Sequence, residues 1–135
     1  MRKILGYIFI LVTASIIVSF PFFKPGFFPT HDGEWAVVRL GAMHRSVLDK
    51  HIPARWAGNQ NFTYGYPLFE FTYPFPYYLG EVFNLSGLGL ILSVKTVFIL
   101  SVVGSAIGMF LLGKELFGNF GGLASSIFYL FAPYR

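Results

Sequence analysis

Seventeen consecutive residues, Ile4–Phe20 (ILGYIFILVTASIIVSF), carry no charge, and Pro21-Phe22-Phe23 prolongs the apolar run. At about 1.5 Å per residue, a helix over 4–23 is long enough to cross a hydrocarbon core of roughly 30 Å. A second run, Leu90–Leu112, has a single charge, Lys95, whose stem can snorkel toward an interface. A very short turn at Lys114-Glu115 separates it from a third segment, 116–134. Composition points the same way: 55% hydrophobic and 12% charged, with mean hydropathy +0.62, whereas soluble domains are about a quarter charged. An aromatic content of 20% excludes a disordered chain. The absence of cysteine excludes disulfide frameworks, thiolate zinc sites and cysteine nucleophiles. The fold class expected is all-α integral membrane, one domain over 1–135. It has transmembrane helices at 4–23, 90–112 and 116–134, and a long first external loop, 24–89, carrying two interfacial amphipathic helices.

Arg2 and Lys3 precede the first run, which predicts a cytoplasmic N-terminus, an extracytoplasmic loop and Lys114 inside again, in a multi-pass protein of the cell membrane. The rival is a secretory signal peptide. Against it stand the length of the apolar run and the bulky Phe20-Pro21-Phe22-Phe23 where small residues would mark a cleavage site. Gly104 and Gly108, with Ser101 and Ser105, suit close helix packing within the chain. Because the chain stops directly after its third span, it reads as the N-terminal part of a larger polytopic protein, inactive by itself.

The loop holds Asp32, Glu34, Asp49, Glu70 and Glu81, all but one of the acids, and His31, His44 and His51, all the histidines. Thr30 or Asp32 can cap a helix that begins near Gly33, and Trp35, Val38, Ala42 and Val47 recur at helical spacing, predicting an amphipathic helix over about 33–51. The stretch 53–73 is broken by Gly58, Gly65 and Pro67 and reads as loop. Pro74-Phe75-Pro76 opens a second interfacial helix over about 75–86. Most of the Tyr and Phe suit an interfacial aromatic belt.

Asp32 and Glu34 form a D-x-E pair beside the membrane exit. Two such carboxylates can ligate a divalent cation (Mg or Mn), and one can act as general base; a carboxylate there can equally be a plain helix cap. The histidines lie 13 and 7 residues apart, which matches no short zinc motif. Arg39, Arg45 and Arg55 can bind phosphate, anionic headgroups or internal acids. Asn61-Phe62-Thr63 and Asn84-Leu85-Ser86 match glycosylation sequons. Dispersed, balanced charge gives no nucleic-acid surface, and no charge near mid-span suggests an ion relay.

The order of these features resembles the N-terminal part of GT-C-type membrane glycosyltransferases: a span, an acidic motif just outside it, two interfacial helices in a long loop, then further spans. More narrowly, HDGEWAVVRLGAMHRSV, YGYPLFEFTYPFPYYLGEVF and LFGNFGGLASSIFYLFAPYR resemble prokaryotic polytopic proteins labelled "6-pyruvoyl-tetrahydropterin synthase-related", a label that carries no pterin chemistry here. The resemblance implies sugar transfer from a polyprenyl-phosphate-linked donor at the outer membrane face. Asp32 would be base or cation ligand and Glu34 its partner, with Lys24, Arg39, Arg55, Tyr66 and Glu70 at substrate and phosphate. The alternative is a non-catalytic polytopic scaffold or lipid-handling protein whose loop aromatics, Trp35, Tyr66 and Phe69, carry binding.

Overall fold

The structure, a computed structural model, describes residues 2–27 and 32–132. Every regular element among them is helical: α1 (Arg2–Val18), a 3-10 turn (Phe20–Phe23), α2 (Gly33–Leu48), α3 (Leu68–Phe71), α4 (Phe75–Phe83), a wide π turn (Asn84–Leu88) and α5 (Leu90–Leu130). Among the described residues one helix, α5, is long and apolar enough to cross a membrane; α1, of 17 residues, is shorter. The expected span over 4–23 is thus α-helical only to Val18. Pro21 then enters the first turn of the 3-10 segment, where its missing N–H is tolerated.

The chain divides into two compact units, one of 1–25 with 98–135 and one of 26–97. In the first, α1 lies along α5. Tyr7 meets Phe110 at 5.9 Å, and Phe22 stacks on Phe98 at 5.5 Å. The two contacts run in opposite chain directions, so the helices are antiparallel there. Leu11 and Ser15 of α1 and Ser19 just beyond it, spaced four apart, form one buried stripe, while Phe9, Ile16 and Ile17, and Phe20 in the 3-10 turn, face outward. Small residues inside and large apolar ones outside reverse the usual order of a water-soluble bundle.

Within α5 the backbone is non-helical at Gly118 (φ 73°, ψ −175°), dividing it into arms 90–117 and 119–130. Ser126 Oγ donates to the Ala106 carbonyl at 2.6 Å. A Cβ on Gly113 would stand 3.0 Å from the Gly122 Cα and 2.8 Å from the Ser125 hydroxyl, so the arms fold back on one another with glycine at the closest approach. The break falls at Gly118 rather than at the expected Lys114-Glu115, because Lys and Glu are good helix formers and a positive φ favours glycine. The second arm, about 18 Å long, is shorter than the roughly 30 Å a full span needs; the last residues of the expected span 116–134 lie outside the described ones. Lys95, expected to snorkel, is instead buried, at 4% exposure.

In the second unit, α2 packs on α4, with Leu40, Ala42, Met43, Phe69 and Tyr77 in its core. The crossing is close at Gly80, where a Cβ would come within 3.2 Å of the Leu40 methyls. α2 ends at Leu48, short of the expected His51. Lys50 takes a left-handed φ of 61°, the Lys50 N–H donates to the Val47 carbonyl and the His51 N–H to the Ser46 carbonyl. Those paired bonds are a Schellman stop. The connection 49–67 is tied onto the helices by Ser46 Oγ donating to the Trp56 carbonyl (3.0 Å) and the Ala54 N–H donating to the Tyr78 hydroxyl (2.7 Å). Within the 53–73 stretch expected as loop, Leu68–Phe71 forms a single helical turn.

Candidate functional site

The N-terminal half of α2 carries three of the residues singled out from sequence, Asp32, Glu34 and Arg39. Asp32 is its N-cap residue and Glu34 lies in its first turn, yet the Asp32 side chain makes no capping hydrogen bond. The plain capping role, in which a carboxylate oxygen accepts an N–H of the first turn, is therefore not the one it performs. Thr30 and His31 lie outside the described residues.

One turn on, Arg39 donates through Nη1 to the Tyr77 hydroxyl at 3.4 Å, and its Nε is buried without a hydrogen-bond partner. The Tyr77 hydrogen bond raises the Arg39 pKa, burial opposes it, and the Tyr77, Tyr66 and Tyr73 phenols add to the rise. Arg39 is thus a cation held against Tyr77. Arg55 and Glu70, also expected at substrate, pair instead with each other, Arg55 Nε to Glu70 Oε1 at 3.3 Å, with both side chains well exposed. Arg45 pairs with Asp49 at 3.1 Å. Lys24 belongs to the other unit.

Two groupings escaped sequence reasoning. In the first, His44 Nδ1 lies 2.8 Å from Glu81 Oε1, and Asn84 Nδ2 donates to Glu81 Oε2 at 3.2 Å while standing 3.0 Å from the same ring nitrogen. Glu81 is 3% exposed. With the proton on Nδ1 the ring donates to the carboxylate and Nε2 is left as its acceptor. The partners are 37 residues apart, so no local spacing signals them.

The second is a groove of about 660 Å³ lined by Trp35, Val38, Asn59, Gln60, Asn61 and Tyr66. Trp35 and Val38 stand one turn apart on α2. The amides come from a tight loop closed by the Ala57–Tyr66 bridge, with the Ala57 N–H donating to the Tyr66 carbonyl and the Gly65 N–H to the Gln60 carbonyl, both at 2.9 Å. Gly65 closes this loop at φ 71°, where a Cβ would overlap the Trp56 indole nitrogen. Asn61, Phe62 and Thr63 all have left-handed φ, a strained run for non-glycine residues, and such strain concentrates at functional loops. Gln60 is only 9% exposed, and its side-chain nitrogen has no hydrogen-bond partner. An unpaired buried donor costs about 1–3 kcal/mol. A Gly- and Asn-rich stretch marks a turn but cannot show which amide it buries. An apolar cleft of about 460 Å³ lies nearby in sequence, between Val37 and the residues 88–92.

Among the described residues no group of three or more His, Asp or Glu side chains stands together to hold a metal ion. Asp32 and Glu34 offer hard oxygen donors of the kind Mg²⁺ takes when substrate phosphates and water complete its shell. No known family's sequence model matches the chain, and neither a curated protein nor a solved structure matches it.

Proposed function

We propose that the chain is the N-terminal part of a membrane-embedded glycosyltransferase that takes sugar from a polyprenyl-phosphate-linked donor at the extracytoplasmic face. The observation that carries this reading is the pair of carboxylates at the start of α2, Asp32 at its N-cap and Glu34 in its first turn. Asp32 acts as general base toward an acceptor hydroxyl, with Glu34 beside it. Arg39, held by Tyr77, meets the phosphate that departs with the prenyl chain, where preorganised positive charge lowers the barrier. A divalent cation, if one is used, would sit on Asp32 and Glu34 and screen the same phosphate. The apolar cleft at Val37 and 88–92 suits the isoprenoid.

The membrane setting rests on α5 and on the outward-facing Phe9, Phe117, Phe120 and Phe128, surfaces that lipid covers at no cost and water does not. In this reading α1, 90–117 and 119–132 are membrane-embedded, and the exposed aromatics of α2 to α4 and their connections lie at headgroup level.

Expressed from its complete reading frame and reconstituted in liposomes with polyprenyl-phosphate hexoses and a hydroxyl-bearing acceptor, the protein should release polyprenyl phosphate as the hexose passes to the acceptor oxygen. Asp32→Asn should lower that rate at least 100-fold while leaving membrane insertion unchanged, in the range expected for loss of a general base. A wild-type rate in Asp32→Asn sinks the reading. The scaffold alternative draws on the exposed Trp35, Trp56, Phe62 and Tyr64 and predicts tolerance at Asp32 and Glu34 with loss of partner binding when these aromatics are removed.

A further inference from the structure

From Trp56 to Phe69 no residue carries a charge, and the two ends of this stretch are tied together. The Phe69 N–H donates to the Arg55 carbonyl at 3.2 Å. Arg55 Nε pairs with Glu70 Oε1 at 3.3 Å, so the nearest charges on either side offset each other. Between these ties the chain runs out and back as a finger, pinned across its middle by the Ala57–Tyr66 bridge. Its tip carries Phe62, 91% exposed, and Tyr64, 82% exposed. Neither the transfer chemistry nor the packing of α2 on α4 uses these two rings.

The cover that suits such a tip is one that the finger can enter without stripping water from unpaired polar groups. Moving a loop into a lipid boundary is costly chiefly through its backbone N–H and C=O groups and any charges it takes along. Here the Gln60, Tyr64 and Gly65 N–H groups donate to the Ala57, Asn61 and Gln60 carbonyls. The Thr63 hydroxyl donates to the Phe62 carbonyl. No charge travels with them. The exposed side chains are a phenyl and a phenol at the tip and the indole of Trp56 behind it, and Tyr and Trp concentrate where an apolar body meets a wet edge. A bilayer is also within reach of this unit. A Cβ on Gly41 of α2 would stand 3.7 Å from Leu90 Cδ1, so α2 lies against the first residue of α5, the helix long and apolar enough to cross a membrane.

We propose that the 57–66 loop is a membrane finger. The Phe62 and Tyr64 rings enter the boundary between headgroups and acyl chains, while Thr63 and the backbone stay among the headgroups, where water-borne reagents still reach them. The finger rests on the membrane setting proposed above and not on the transfer chemistry. It gives the 26–97 unit a hold on the bilayer besides α5.

The test places one trifluoromethyl-phenylalanine by codon suppression at Phe62, Tyr64, Phe69 or Phe9 of the full-length protein in phosphatidylcholine–phosphatidylglycerol nanodiscs. Fluorine NMR line broadening is read with a lipid carrying a nitroxide just below its headgroup, and separately with an aqueous gadolinium chelate. Labels at 62 and 64 should broaden about threefold more with the nitroxide lipid than the label at Phe69, which is buried at 6% exposure. The chelate should broaden them about threefold less than it broadens the free amino acid. Full broadening by the chelate with none from the lipid leaves the tip in water and overturns the finger. Protection from both probes means that protein covers the tip, and overturns it equally. The label at Phe9, on the outward face of α1, reports the membrane setting by itself: if the nitroxide lipid broadens it while 62 and 64 stay wet, the setting stands and the finger falls. If all of these labels stay wet, both fall. A finger in lipid on a protein without Asp32-dependent transfer keeps the finger and removes the transferase.

Discussion

Lys50 shows how much a single backbone angle decides. It stands at the position after the last half-turn of α2 where a left-handed residue lets the paired Schellman bonds form, and it does so at φ 61° with a side chain attached. For an L-residue that conformation costs roughly 1–2 kcal/mol, which glycine does not incur, although glycine's freedom in the unfolded chain takes part of the gain back. Lys50→Gly should therefore stabilise the protein by about 0.5–1 kcal/mol, measured as a raised Tm in detergent. A lower Tm would mean that the lysine side chain supplies a contact outweighing the strain. The same residue explains why the end of α2 was hard to place from sequence. A Gly or Asn would have marked the stop, whereas lysine is a good helix former and its left-handed angle comes from the bonds around it. Gln60 was hidden differently, since its burial depends on a loop closed by Gly65 against Trp56, a contact between residues nine positions apart.

Between elements, the join of α2 to α4 rests on close apolar packing at Leu40 and Gly80 and on a polar clasp of His44, Glu81 and Asn84. Glu81 is buried with two donors aimed at it, an arrangement in which removing one donor leaves a desolvated carboxylate half satisfied. His44→Ala should thus destabilise the protein by about 1–3 kcal/mol, and Glu81→Leu in addition should recover part of that loss, because the unpaired charge goes with it. A double-mutant cycle on thermal unfolding measures the coupling; additive effects would show that the clasp contributes nothing beyond its separate side chains. Periodicity made the start of α2 and the existence of α4 legible, since both follow turn residues and carry apolar positions at helical spacing. It could not show which faces meet. His44 was weighed only against other histidines, when its partner is a carboxylate on another helix. The fold-back of α5 was likewise expected at the charged pair Lys114-Glu115, and the chain instead continues through good helix formers to the glycine that can adopt φ 73°.

At the scale of the whole molecule, the side of the membrane on which each part stands determines whether Asp32 and Arg39 can meet an extracytoplasmic lipid-linked sugar. The charge argument rests mainly on Arg2 and Lys3, because the loop 24–89 carries five basic and five acidic residues and loops of about 60 residues or more translocate largely regardless of charge. The arm 90–117 is about 42 Å long, enough to carry the chain from one face to the other, so residues at its far end should lie opposite the loop. These 135 residues contain no cysteine, so a single thiol introduced here, compared with the parent protein, reports its own position. Thr63 and Glu115 are both exposed, on either side of that arm. A membrane-impermeant maleimide added to intact cells should label Thr63→Cys, and Glu115→Cys only after permeabilisation. On the proposed topology the first helix is an uncleaved anchor, and an N-terminal tag should then remain on the mature protein. The reverse labelling pattern would place Asp32 in the cytosol, away from any donor presented outside. Labelling of both positions in intact cells, with loss of the tag, would identify the first helix as a cleaved signal and remove the anchor on which the extracytoplasmic site depends.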